Sequence, residues 1–238
     1  MNEVYIQDKK GEVVKMHRIL FSDFYQEYLG LDDKMICNDV HVCKCKYRDI
    51  PLNKHYYYKM IATKYNGENI ISYSPEFDET KLRFLCTKIN FETIGVGNVH
   101  NDLELPQYEL SYMDRMLLGS QIDISVDKRS GCDGNNSIEY KYLEEYRKYI
   151  ALINGELAGY CKVSDVISGY GNLVVWVEES RRRLGIAESL VGLMINKCYE
   201  ERIAPMYIVK TTNHASIALA KKLGFQVKQR ELVVSYTN

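Results

Sequence analysis

Between Asn172 and Leu223 the apolar pattern changes period from strand to helix twice. Asn172–Val177 is a β-branched, apolar run of the kind that forms a buried strand. Gly185–Glu200 then places Ala187, Leu190, Val191, Met194, Ile195 and Cys198 along one helical face. Met206–Lys210 reads as another short strand, and Asn213–Leu223 as a second helix stopped at Gly224. Strand, helix, strand and helix in succession define an α/β unit, in which helices pack on a sheet. Phe225–Val227 and Leu232–Tyr236 predict a closing pair of strands.

Upstream, two Asn-Gly pairs, Asn66-Gly67 and Asn154-Gly155, each sit between apolar runs and predict hairpins, because both turn positions tolerate positive φ. Phe21, Phe24, Tyr25, Tyr28 and Leu29 recur at helical spacing, with Gly30 placed to end the helix. Ser74-Pro75-Glu76 suits a helix start, predicting a helix to about Asn90. Turn-formers mark a connection over residues 95–106 and a loop over 130–137. A division near Leu105 separates an N-terminal α+β region, 1–105, from a C-terminal domain, 106–238.

Composition removes several classes of function. With 31 Lys and Arg against 32 Asp and Glu in 238 residues, the net charge is −1, which gives no electrostatic reason to expect nucleic acid or an anionic membrane as partner. The apolar run Leu173–Val177 is far short of the roughly 20 residues that span a bilayer. Met1–Lys10 lacks an apolar signal core. Seven scattered cysteines, with no export signal, read as reduced thiols in a cytoplasm.

The chemistry concentrates where the strand ending at Val177 meets the helix beginning at Gly185. A helix N-terminus leaves backbone N–H groups without partners, and a phosphate satisfies them. Gly185 and Ala187 let a bulky pyrophosphate approach, and Arg181, Arg182 and Arg183 add positive charge. The segment lacks the Gly-Lys-Ser/Thr of a Walker loop and the first Gly of a dinucleotide fingerprint.

Val177, Arg182, Gly185 and Ala187, followed by Asn213, Ser216, Lys222, Gly224 and Phe225, resemble the motifs of the GNAT superfamily of acyl-CoA-dependent N-acyltransferases, over about residues 148–236. The resemblance implies a mixed, mostly antiparallel sheet flanked by helices, preceded by a smaller α+β region. It implies acetyl-CoA as acyl donor and direct attack by a small-molecule or peptide amine in a ternary complex. The fourth and fifth strands of such a fold splay apart. The pantetheine arm would then bond to the edge Val175-Trp176-Val177, and the pyrophosphate to the amides of Arg182, Arg183, Leu184, Gly185, Ile186 and Ala187. Asn213 and Ser216 would flank the arm, and Lys221 or Lys222 would reach the nucleotide phosphate. A backbone N–H near Val175–Val177 would polarise the thioester carbonyl.

Many members of the family carry a Tyr seven residues after the Asn as thiolate acid, where this chain has Ala220. Glu178 and Asp165 are the candidate general bases. Ala220 also leaves open a CoA-binding regulatory protein without turnover. A homodimer stays open. Cys37, His41, Cys43 and Cys45 cluster, but their spacing is not a usual zinc chelate, and no metal is expected.

Overall fold

The computed structural model describes residues 3–7, 13–17, 20–32, 34–52, 56–96, 105–119, 132–133 and 136–237. In chain order the elements are β1 (Glu3–Gln7), β2 (Val13–His17), α1 (Phe21–Leu29), β3 (Lys34–Cys37), β4 (Val40–Lys44), β5 (Tyr56–Tyr65), β6 (Glu68–Tyr73), α2 (Glu79–Lys88), β7 (Glu109–Leu118), β8 (Cys132–Asp133), β9 (Asn136–Leu143), β10 (Lys148–Ile153), β11 (Glu156–Ile167), β12 (Tyr170–Val177), α3 (Ile186–Glu200), β13 (Ala204–Lys210), α4 (His214–Lys222) and β14 (Phe225–Thr237). β1 and β2 form a separate hairpin, and the other twelve strands form one sheet in the order β3-β4-β6-β5-β14-β7-β13-β12-β11-β10-β9-β8. Only the β4–β6 and β12–β13 pairs are parallel, so the sheet is mixed and mostly antiparallel, as expected.

Local chemistry sets the turns. Asn66 and Gly67 have φ of 51° and 85°, and Asn154 and Gly155 have 52° and 81°, the double left-handed geometry of a tight hairpin. Gly30 ends α1 at φ 74°, its N–H bonding the carbonyls of Gln26 and Glu27. The start expected at Ser74 is corrected: Asp78 caps α2, accepting from Lys81 N at 2.8 Å. The Ser74 N–H instead donates to Lys59 O at 2.8 Å, prolonging the β5–β6 ladder, and Phe77 turns inward and is buried. With its amide in the ladder and its hydroxyl donating to Asp49 and accepting the Glu76 N–H, Ser74 belongs to the turn before the helix and does not cap it.

The expected closing pair of strands is also corrected. Phe225–Thr237 is a single 13-residue strand with a bulge between Val227 and Gln229. β14 pairs with β7 on one edge and β5 on the other, so the sheet runs unbroken past residue 105. Its polar midsection is tolerated because Glu231, fully buried, meets fully buried Arg115 of β7 in a two-pronged ion pair at 2.7 and 3.1 Å. Tyr25 of α1 donates a third bond to Glu231, at 2.7 Å. Burial alone would lower the Arg115 pKa; Glu231 and Tyr28 outweigh it and raise it, keeping the guanidinium charged.

Three apolar cores result. One holds α3 and α4 against β10–β13, with Leu190, Val191, Met194 and Ile195 all fully buried. Another packs α2 and the residues after it on β4–β6, β7 and β14. In the third, α1 sits on the face opposite α3, packing Phe24, Tyr25 and Tyr28 against Tyr170, Met206 and Val233. Of the expected connection over residues 95–106, residues 97–104 lie outside the described residues, as do 130, 131, 134 and 135 of the expected loop. The segment 1–10 is described only at 3–7. Among the described residues no helix is long and apolar enough to cross a membrane, and no group of three or more His, Cys, Asp or Glu could hold a metal ion.

Candidate active site

The site begins at a fork in the sheet. β12 and β13 run parallel, but their pairing covers only Tyr170↔Ala204, Gly171↔Pro205 and Asn172↔Met206. Beyond Asn172, β12 continues to Val177 with β11 on its other edge. Residues 173–177 therefore present one edge of backbone N–H and C=O groups without a partner strand. The Asn172 carboxamide props the fork, its Oδ1 accepting the Ile208 N–H at 3.2 Å. Val175 and Val177 turn toward the α3 core, and Trp176 turns to the other face, 41% exposed, its ring stacked on Tyr160 at 5.6 Å.

Past Val177 the chain makes a short turn, in which Arg181 N and Arg182 N donate to the carbonyls of Glu178 and Glu179, and then enters α3. Arg183 and Gly185 both have positive φ, 68° and 74°. For Arg183 this is a conformation that L-residues avoid, a local cost that brings successive amides round to one side. Gly185 is the N-cap of α3 and offers no capping side chain. The first amides of a helix lack intrahelical acceptors, so those of Ile186 and Ala187 have no capping partner either. A Cβ placed on Gly185 would meet nothing within 4 Å. The corner is open, bare and at the positive end of a 15-residue helix. Ile186, 1% exposed, anchors it to the core, whereas Leu184 is 43% exposed. Arg182 pairs loosely with Glu179 at 3.5 Å, and Arg181 with Glu156 at 3.7 Å.

At the start of α4, Asn213 is engaged as N-cap, its side chain accepting from Ser216 N at 3.1 Å. The Ser216 hydroxyl lies 2.9 Å from the Tyr207 hydroxyl. Lys222 is held by Glu188 of α3 at 2.5 Å. Tyr207 was not singled out in the sequence. It lies one residue past the last β13 residue that pairs with β12, buried, on the α3–α4 face. Burial raises its pKa, while the Ser216 bond works the other way, so the phenol keeps its proton. Only the knowledge that β13 leaves β12 after Met206 gives this Tyr any distinction from other strand aromatics. Ala220, in the family's Tyr position, is fully buried.

The two candidate bases lie apart in kind. Glu178 follows the free edge and accepts bonds from the Ser180 hydroxyl and amide, which hold its carboxyl below the usual range and weaken it as a base. Asp165 lies at the irregularity in β11, with φ 49°. It lines a small cavity at the fork, on the α1 face, with Asn172, Tyr28, Tyr56, Tyr58 and Arg115. The cavity encloses about 20 Å³, room for one water or one ammonium group.

Residues 123–225 match the family model for the acetyltransferase (GNAT) family. Similar solved structures include one described as an acetyltransferase of the GNAT family from Novosphingobium aromaticivorans, with 15% identity, 56% of this chain and 69% of that one covered, and a TM-score of 0.45. Another is a GCN5-related N-acetyltransferase-like protein from Streptococcus suis, with 14% identity, coverage of 58% and 65%, and a TM-score of 0.44. A third, from Salmonella typhimurium, is described as an acetyltransferase with its cofactor acetyl-CoA, with 19% identity, coverage of 39% and 64%, and a TM-score of 0.34. No curated protein matches the chain. The assignment rests on the family model rather than on these partial superpositions: residues 123–225 match the GNAT acetyltransferase family.

Proposed function

We propose that the protein transfers an acetyl group from acetyl-CoA to a primary amine by direct attack within a ternary complex. One observation carries this reading: the bare N-terminus of α3, capped only by Gly185, continues the strand whose free edge opens at the fork. The amides of Arg183–Ala187 would hold the pyrophosphate, with the Arg182 and Arg183 side chains beside it, the Arg182 amide being bonded to the Glu179 carbonyl. Val175, Trp176 and Val177 would bond the pantetheine arm through their free backbone edge. Ser216 and the capped turn at Asn213 would wall the other side. Acetyl-CoA supplies the activated thioester. A backbone N–H of β12 would polarise the carbonyl oxygen.

Asp165 is favoured as the base that receives the ammonium proton, because it faces the cavity at the fork and Glu178 is held in its ionised form by Ser180. Tyr207, hydrogen-bonded to Ser216, is the candidate donor to the leaving thiolate in place of the missing helix Tyr. Residues 1–105 would supply the acceptor wall, since α1 and β5 line the same cavity. A second reading, CoA binding without turnover, draws on Ala220. Thiol release from acetyl-CoA across a panel of amines separates the two. Amine-dependent release supports transfer, and tight CoA binding with no release from any acceptor supports the silent binder.

A further inference from the structure

The sheet face opposite α3 carries two opposed lysines beside a stacked aromatic pair. On adjacent strands Lys148 of β10 stands directly across from Lys162 of β11, and Lys162 directly across from Val174 of β12. One step further along, Ile150, Tyr160 and Trp176 stand in the same line. Like charges directly opposed across strands repel and destabilise the pair. No carboxylate relieves either lysine among the described residues. Lys148 lies over the rings of Tyr160 and Tyr146, at 4.8 and 5.9 Å, and Lys162 has no ion-pair partner among the described residues. One strand further out, Lys141 is paired with Glu139 at 3.1 Å. All of these side chains keep access to solvent, Trp176 at 41%.

Two lysines directly opposed across adjacent strands, beside a stacked aromatic pair, form a seat for an anion joined to an apolar segment. Strand geometry sets its distance from the chemistry. Neighbouring strands are about 4.8 Å apart and residues about 3.3 Å along each, which puts the Lys162 backbone about 8 Å, and the Lys148 backbone about 12 Å, from the Trp176 backbone on the free edge. We propose that the amine acceptor carries its own anionic group, held by Lys148 and Lys162, about 8–12 Å from the nitrogen that is acetylated. This rests on the acetyltransferase reading and narrows it. Polyamines and other polycations are disfavoured. A free amino acid is too short to join its α-amine to the lysines through its α-carboxylate.

Three six-carbon amines test the assignment: 6-aminohexanoate, hexylamine and 1,6-diaminohexane. The expected order of kcat/KM is carboxylate, then methyl, then second ammonium, with roughly tenfold between the first two, falling as salt is raised. In Lys162→Gln and Lys148→Gln the ratio of 6-aminohexanoate to hexylamine collapses toward one, chiefly through KM, and in Lys141→Gln it persists. Trp176 is the only tryptophan in the chain, so its fluorescence reports binding without turnover. It should respond to 6-aminohexanoate at lower concentrations than to hexylamine in the native protein, and equally to both in Lys162→Gln. Equal response and equal turnover in the native protein, or a preference that survives both lysine variants, overturns the proposal. If acetyl-CoA neither binds by calorimetry nor is consumed, the acetyltransferase reading falls, and the fluorescence titration still decides whether the lysine pair takes the anion.

Discussion

Three glycines in this protein share one geometry and differ only in what is expected to lie beside them. Gly67, Gly155 and Gly185 have φ of 85°, 81° and 74°, and at each a Cβ would meet no atom within 4 Å. Replacing each with Ala therefore costs the same thing in the empty protein: a left-handed conformation forced on an L-residue, about 1–2 kcal/mol. For a chain of this length that lowers Tm by about 2–4 °C per kcal/mol. The space at Gly67 and Gly155 is solvent at a hairpin tip. At Gly185 it is where the pyrophosphate would lie against the α3 amides. A methyl group there pushes the phosphate out of reach of at least one charge-assisted hydrogen bond, worth about 1.5–3 kcal/mol. Gly185→Ala should thus weaken CoA binding by roughly ten- to a hundredfold, and Gly67→Ala and Gly155→Ala should leave it unchanged. Urea titration of all three variants gives the common stability cost, and isothermal calorimetry with CoA gives the difference. Equal CoA affinity in all three, at equal stability loss, would refute the placement of the phosphate on this corner.

Glu231→Gln strands a fully buried Arg115 and should cost about 3–5 kcal/mol in denaturant midpoint analysis, far more than any exposed ion pair here. Asn213→Ala removes the α4 cap and should cost about 1 kcal/mol by the same measurement. Tyr207→Phe should lower kcat at least tenfold while the CoA dissociation constant stays within about twofold; an unchanged kcat removes Tyr207 as the thiolate acid. Burial pushes the Cys86 and Cys198 thiols up to about 12, from an ordinary value near 9. The native state holds these protons more tightly than the unfolded chain does, so stability is retained below pH 9 and falls as pH rises from 9 toward 12. Iodoacetamide at pH 9, read by mass spectrometry, should label both thiols at least a hundredfold more slowly in native than in denatured protein.

What could be read from the sequence was local. The Asn-Gly hairpins, the stop at Gly30, the helix face of α3 and the span of α4 depend on residues within one turn or one period of each other, and the structure has them at the expected places. Misreadings arose where a distant partner decides. Lys228–Arg230 looks like a turn until Arg115, 116 residues away from Glu231, is seen to compensate the charge within a continuous strand. Ser74 looks like a cap until its amide is found extending a hairpin. Within the candidate site, the bare corner at Gly185 was legible because a helix N-terminus is a local object. The prop at Asn172, the position of Tyr207 and the facing lysines were not, since each needs to be known alongside a neighbouring strand. No periodicity in one segment carries that information.

The position of β14 has a consequence for how the molecule is assembled. Thr63 and Arg115 wait for partners in β14 that lie 167 and 116 residues further along the chain. Until residues 225–237 arrive, β5 and β7 are two open ladders side by side, rich in apolar side chains, and each can recruit a stray strand from another molecule. A nascent or clipped chain stopped short of Phe225 should therefore be captured by chaperones or precipitate rather than persist as a smaller folded protein, because the missing segment is the seam that joins both halves of the sheet.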